Sequence, residues 1–514
     1  MGDDVTLSGP DLGKGVAIGA LSPGDKLLGH AFGEPVLLAR LGDDYVAIGA
    51  TCTHYGGPLA EGVIHEETVR CPWHHACFSL RTGEALRAPA LSPVPRWLVE
   101  RRGELIVVTE KVERDPLAPT YPISLPAAPP PRSIVIVGAG AAGTAAAEML
   151  RRCGYDGRVT MVDVEPDSPY DRPNLSKDYL AGTAPEEWIP LRPAGFHAEH
   201  RIDIVRARAI HIDVTGKRLE VERHEPLSYD ALLLATGAEP VHLDLPGDGQ
   251  AHVHYLRSLG HSRGIIAAAK DARRAVVIGG SFIGLEVAAS LRARGLEVHV
   301  VAPEVVPLER VLGRPLGMFL RTLHEEKGVV FHLEHKPASI ERDAVVLDDG
   351  TRLDADFVVV GVGVRPRLAL AEQAGLAVDR GVTVNELLQT SAPDVYAAGD
   401  IARWPDPHSG EKIRVEHWVV AERMGQVAAR NMLGARERFD QVPFFWSAHY
   451  DLSINYVGHA ERLDELRVDG DPGARDAAVR YERGGRLLAL ATIFRDEESL
   501  RAELAMEQDS PAVR

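Results

Sequence analysis

Cysteine is scarce: 514 residues hold only Cys52, Cys71, Cys77 and Cys153. No two of them stand as C-x-x-C, so the chain carries no adjacent dithiol for disulfide exchange. So few thiols in so long a chain do not make a disulfide-stapled scaffold; in a reducing compartment they are expected as metal ligands or buried thiols. Long apolar runs are missing too. No stretch of 18 apolar residues exists, so no membrane span is expected. The opening MGDDVTLSGP has neither the basic nor the apolar region of a signal peptide, and a cytoplasmic location is the expectation. Positive charge is in deficit: 57 Lys and Arg against 74 Asp and Glu give −17. Such a surface repels phosphates and no basic block offsets it, so neither nucleic acid nor membrane is an expected partner.

What is present has ordinary globular texture, 45% hydrophobic and 25% charged. A prior of about 150 residues per domain suggests three or four domains. Residues 1–112 read as short strands between turns, with runs at 36–39, 45–48 and 105–108 and no helix-period segment. Residues 113–131 contain seven prolines and read as an extended linker. Beyond it a strand at 134–137 ends in Gly138, an Ala-rich helix runs to Arg152, and a strand follows at 159–162. The same strand–glycine–helix–strand unit recurs at 275–302, with Gly279 standing 141 residues after Gly138. That is a duplicated nucleotide-binding unit rather than a short repeat. From about 441 strand-like runs return, and a charged, helix-prone tail ends the chain.

With 21 histidines in the chain, spacing must carry any metal argument. Cys52-Thr-His54 is followed after sixteen residues by Cys71-Pro-Trp-His74. Each half supplies one thiolate and one imidazole from a Gly/Pro-rich loop, a donor set that suits a [2Fe–2S] centre with two His on one iron. Structural zinc also takes Cys₂His₂, but usually with a C-x₂₋₄-C pair that is absent here. Four unligated core residues are the remaining alternative. His75 is expected on the loop surface and Cys77 packed beside Phe78, neither as a ligand.

Gly138-Ala-Gly140-Ala-Ala-Gly143 follows a strand and opens a helix, the context in which backbone N–H groups receive a pyrophosphate. Asp163 and Glu165 both stand where an acid should hold the ribose. The second copy reads Gly279-Gly-Ser281-Phe-Ile283-Gly284-Leu-Glu286, with serine in place of the middle glycine. After its next strand comes Ala302-Pro303-Glu304, with no arginine for a 2′-phosphate, which favours NADH over NADPH. Gly363 is assigned to the same cradle.

These motifs carry a resemblance. Residues 1–112 resemble a Rieske ferredoxin-like domain. The extra cysteines of the respiratory bc type are replaced by Gly57 and Trp73, which points to the lower-potential branch, near ~−150 mV. Tyr170-Asp-Arg172-Pro-Asn-Leu-Ser-Lys177 resembles a segment of ferredoxin reductases. Ala235-Thr236-Gly237, the fingerprint 390–400 ending in Asp400, Arg414-Val-Glu416-His417 and Pro443-Phe-Phe-Trp446-Ser fit two-dinucleotide flavoproteins. Together the chain resembles Rieske-fused, apoptosis-inducing-factor-like proteins and the FAD- and NAD-dependent ferredoxin reductases of oxygenase systems.

The resemblance implies an α/β flavoprotein with two Rossmann-like domains and an α+β interface domain, behind the all-β Rieske domain. FAD would occupy 132–248 and 372–440, NAD 249–371, and residues 441–514 would form the interface domain, with Trp446 near the flavin or nicotinamide. By the same resemblance FAD is bound by Gly138, Gly140, Gly143, Glu165, Arg172, Lys177, Thr236, Gly237, Asp400, Glu416, His417 and Trp446. Lys177 and Glu286 are expected to pair at the flavin edge; for Glu416 and His417 a structural role is equally open. Electrons would run from NADH through FAD and the cluster to a further acceptor. Two alternatives remain: a reductase for a separate ferredoxin or oxygenase whose Rieske domain only docks or senses, and a redox-responsive binding protein. The oligomeric state is open, with a dimer as one candidate.

Overall fold

The computed structural model describes residues 7–112 and 130–509. All but the last two residues of the expected linker, 113–129, lie outside the described residues. Before it stands a domain of two antiparallel sheets, one of six strands and one of four. Strand Glu34–Leu41 lies one in from the edge of the six-stranded sheet and its middle, 36–39, is buried on both faces, which explains its unbroken apolar run. Leu37 and Ala39 pack with Ile48, Phe78 and both cluster-loop cysteines, Cys52 and Cys71. Val36 and Leu38 point the other way, toward Trp97 and Ile106.

Two parallel five-stranded sheets follow. In the first, Ser133–Val137 pairs with Arg158–Asp163 on one side and Ala231–Leu234 on the other. Val395–Ala397 then joins beside Ala231–Leu234, so chain from before and after the second unit builds one sheet. The helix Ala141–Arg152 is buried along its whole length. Its alanines let the helix Trp418–Met432 cross in contact: a Cβ on Gly425 would come 2.1 Å from the Ala142 carbonyl oxygen. The second sheet repeats the arrangement with Arg274–Ile278, the helix Phe282–Ala293 and Glu297–Ala302.

The last unit is a five-stranded antiparallel sheet, Phe444 to Ile493, closed by the helix Asp496–Gln508. Its core is not separate. Ile454, Tyr456 and Val479 pack with Val287, Leu291 and Leu316 of the second nucleotide unit. Among the described residues no helix is long and apolar enough to cross a membrane.

Candidate redox sites

Two loops, 52–57 and 71–76, share one hydrogen-bond skeleton. Cys52 N–H donates to the Gly57 carbonyl and Gly56 N–H to that of Cys52, at 2.8 and 3.0 Å; Cys71 N–H and His75 N–H repeat the pattern with Ala76 and Cys71, at 2.8 and 3.1 Å. The residue four beyond each cysteine is left-handed, Gly56 at φ +79° and His75 at φ +60°. The Cys52 sulfur accepts from the N–H groups of His54 and Tyr55, and that of Cys71 from Trp73 and His74, bonds that favour thiolate. The two sulfurs also lie within hydrogen-bond reach of each other.

His54 Nδ1 and His74 Nδ1 lie 3.2 Å apart. Burial pushes the His54 imidazole down to about 3 and that of His74 well below its usual value, so both are neutral donors of a lone pair. The four side chains therefore form a sulfur pair and a nitrogen pair. No three of their donor atoms lie within 4.8 Å of one another. A single tetrahedral ion with bonds of about 2.0–2.3 Å needs all four donors within roughly 4 Å. Separate pairs fit two metals bridged into a cluster, one pair to each. A Cβ at Gly57 would meet Cys71 Sγ at 2.6 Å and the Trp73 ring at 3.2 Å, so this loop has no room for a further cysteine. Cys77 is buried in strand Cys77–Ser79 beside Phe78.

In the first nucleotide motif Gly138 is at φ +108°, where a Cβ would meet the Ala235 carbonyl at 2.2 Å. No side chain caps the helix at Gly140, and a Cβ there would enter open space. Free N–H groups at a helix start with room before them fit a pyrophosphate. Glu165 accepts from the Tyr170 hydroxyl and from Arg172 at 3.2 Å, while Asp163 pairs with Arg206 at 3.0 Å. Arg172 donates to the Arg257 carbonyl, and Arg257 pairs with Asp400 at 2.8 Å. Arg414 bonds the Asp400 carbonyl at 3.0 Å and the Glu416 carboxylate at 2.8 Å. Thr236 donates to the Arg367 carbonyl at 3.2 Å, and Gly237 is left-handed at φ +65°. His417 stands at the start of the helix Trp418–Met432 without a side-chain bond to it; its Nδ1 is buried and, among the described residues, without a partner. Residues expected at one flavin site from five separate stretches are thus neighbours.

The second motif differs at its cap. The Ser281 hydroxyl accepts from Gly284 N–H at 3.2 Å and donates to the Gly361 carbonyl at 2.7 Å, so serine closes the helix start and ties it to the neighbouring strand. Gly279, at φ +118°, would bring a Cβ to 2.3 Å from the Gly361 oxygen. Gly363 is left-handed at φ +107°, and Ile283 is exposed at the mouth. Glu304 follows the strand, and its Oε2 is buried with no partner among the described residues. A buried carboxylate oxygen is costly unless something donates to it, and a ribose hydroxyl is such a donor.

Lys177 and Glu286 meet at 2.8 Å, with Glu286 only 2% exposed. The Lys177 ammonium lies 5.9 Å from the centre of the Trp446 ring, and the His74 ring lies 4.3 Å from the same indole. A cleft of about 290 Å³ opens at this junction, lined by Tyr55, His74, Lys177 and Trp446. One side chain of the metal loops, one of the first nucleotide unit and one of the last sheet therefore converge.

His75 corrects its expectation. It is fully buried, its Nδ1 2.9 Å from Glu503 of the C-terminal helix. Glu503 also takes Arg70 at 3.1 Å and Arg423 at 2.7 Å, and Arg423 donates to the His75 carbonyl at 3.2 Å. Burial alone would push this carboxyl up; Arg423, His75 and Arg70 outweigh it and hold it well below the usual range. Glu507 adds Arg70 and Arg87 at 2.6 and 2.5 Å. On the other loop the Tyr55 hydroxyl, stacked on His54, donates to Asp171. Sequence reasoning missed both contacts. Glu503 and His75 stand 428 positions apart, and no local pattern marks either as the other's partner.

The comparisons with known proteins agree with this geometry. The family profile for the pyridine nucleotide-disulphide oxidoreductases matches residues 132–425, that for the Rieske [2Fe-2S] domain 16–98, and that for the reductase C-terminal domain 444–513. Apoptosis-inducing factor 3 of Homo sapiens is 33% identical over 476 residues, covering 90% of this chain and 78% of the relative. The ferredoxin–NAD(+) reductase component of the anthranilate 1,2-dioxygenase system of Burkholderia cepacia is 36% identical, over 70% of this chain and 90% of its own length. Among solved structures, the covalent putidaredoxin reductase–putidaredoxin complex superposes with a TM-score of 0.71 at 33% identity, covering 74% of this chain and 95% of the other.

Proposed function

The chain belongs to the pyridine nucleotide-disulphide oxidoreductases, with a Rieske domain ahead of the family's fold, and from there we infer that it passes electrons from NADH through FAD to its own cluster and on to a protein acceptor. The observation that carries this reading is the approach of both Lys177 and the cluster-loop residue His74 to the Trp446 indole. Bound FAD supplies the exchange between a two-electron donor and a one-electron cluster. The chain's own residues have separable tasks around it. The free helix start at Gly140, with Gly138 and Gly143, takes the pyrophosphate; Glu165 and Asp400 take hydroxyl groups of the FAD chain. Lys177, fixed by Glu286, presents positive charge at the flavin edge. Cys52 and Cys71 hold one iron, and His54 and His74 the other. Trp446 lines the cleft at which the cluster loop and Lys177 meet.

Glu304 supports NADH as the donor: its unpartnered oxygen suits a free ribose hydroxyl, and its charge repels a 2′-phosphate. The relatives' names point to a ferredoxin or an oxygenase component as the acceptor. The test is elemental analysis with EPR of the NADH-treated protein under anaerobic conditions. Two irons and two labile sulfides per chain, with a low average g from mixed His/Cys ligation, are expected. Zinc without iron, or a cluster that NADH leaves oxidised, overturns the reading.

A further inference from the structure

Oxidation of NADH by a one-electron chain yields NAD⁺, two electrons and one proton. On the reading above the electrons leave through the cluster. Glu286 and Ser176 are each only 2% exposed, so a proton on Glu286 leaves either past Lys177 into the cleft that it lines or by a second route through the protein. A line of hydrogen bonds leads away from this point, on the carboxylate oxygen that Lys177 does not use. Glu286 Oε2 accepts from Lys177 at 2.8 Å and from Ser176 at 2.6 Å; Oε1 accepts from the Ser447 hydroxyl at 2.7 Å. Ser447 Oγ stands 3.1 Å from His449 Nε2, and His449 Nδ1 stands 3.2 Å from His324 Nε2. His324 Nδ1 is 3.1 Å from the hydroxyl of Tyr450, which is half-buried. Ser447, His449 and His324 are all buried.

We propose that Ser447, His449, His324 and Tyr450 conduct protons between Glu286 and solvent. Every member can both donate and accept, the property a relay requires. Only two arrangements of hydrogens satisfy all the links. In one, each group donates toward Glu286; in the other, each donates toward Tyr450 and Glu286 carries a proton. Passage of one proton outward converts the second arrangement into the first. Relay also needs both rings neutral, since an imidazolium has two donors and no acceptor. Burial supplies this, holding His449 down at about 3 and His324 well below its usual value.

Local structure explains how the line forms. Ser447 and His449 share one face of strand Phe444–His449, two residues apart. Tyr450 opens the two-residue turn that follows, at φ +59°, where Asn or Gly is favoured. That turn sets its ring 5.1 Å from His324 in the helix Glu309–Glu326.

The test uses the loaded whole chain, Tyr450→Phe and His449→Gln, each pre-reduced with one equivalent of NADH. Each is mixed anaerobically with ferricyanide in weak buffer with a pH-indicator dye. Ferricyanide takes single electrons whether or not the cluster relays them, so failure of the electron path leaves this test standing. In the wild type one proton should appear together with the loss of electrons. In both variants it should lag by tenfold or more, with a changed solvent deuterium effect. A variant that merely slows electrons does not create a lag. Equal proton and electron timing in both variants overturns the relay. So does ¹⁵N NMR of histidine-labelled protein at pH 7 if either ring is charged.

Discussion

The Cys52 and Cys71 loops share a backbone and differ in what holds them. In the first, glycine takes the left-handed position and one contact, Tyr55 to Asp171, reaches the first nucleotide unit. In the second, histidine takes that position, and His75 enters a buried network of Glu503, Arg70 and Arg423. A left-handed non-glycine residue costs about 1–2 kcal/mol, so the second loop carries strain that its partners must offset. The difference teaches which half of the proposed metal site is fixed in space. It is the half bearing His74, the ring that lies against Trp446.

The largest effect should come from erasing both loops' imidazoles. His54→Ala with His74→Ala should remove iron and sulfide while FAD remains bound and reducible by NADH, read from flavin absorbance and metal content. Loss of FAD from a folded double variant would show that the halves depend on each other. Cys77→Ser should keep the cluster.

Next comes the contrast between the anchors. Glu503→Ala leaves the buried Arg423 without its ion-pair partner, while Arg70 keeps Glu507, and should cost about 3–5 kcal/mol by denaturant unfolding, with slower flavin-to-cluster transfer. Tyr55→Phe removes one hydrogen bond and should cost only about 1–3 kcal/mol, because Asp171 is left buried. Equal costs would erase the distinction between the loops.

A smaller effect depends on pH. Burial raises the Asp171 carboxyl to about 6 from its usual 3.8. The folded state therefore holds a proton that the unfolded state has lost between these values. Its contribution is fully present below pH 3.8 and is lost as pH rises through about 6. Relative to Asp171→Asn, wild-type stability should fall by up to ~3 kcal/mol from pH 4 to pH 8. A flat difference would remove the carboxyl from the account.

The smallest is a ratio. kcat/KM should be higher for NADH than for NADPH, and Glu304→Arg should narrow the gap. A higher wild-type value for NADPH refutes the assignment, and an unchanged ratio in the variant moves the discrimination away from Glu304.

Much of this molecule could be read locally. Gly138 and Gly279 declare close backbone approach, the four residues expected as metal ligands sit within two short loops, and Lys177 and Glu286 stand in recognisable segments that the fold brings to 2.8 Å. Ser281 was legible too, as a serine before a helix, but its cap on Gly284 and its bond to Gly361 emerge only with the neighbouring strand in place. His75 was not legible. A histidine beside a ligand resembles loop surface until the C-terminal helix supplies Glu503, and such a partner is fixed by tertiary packing rather than by spacing. The shared core of the second nucleotide unit and the last sheet was hidden for the same reason.

The most direct test of the central claim is anaerobic stopped-flow mixing with NADH at two protein concentrations tenfold apart, following flavin and cluster bleaching separately. Transfer within one chain predicts that the cluster bleaches after the flavin with a rate constant that does not change with protein concentration. A rate that rises in proportion to protein, or a cluster that stays oxidised while the flavin is reduced, would contradict it.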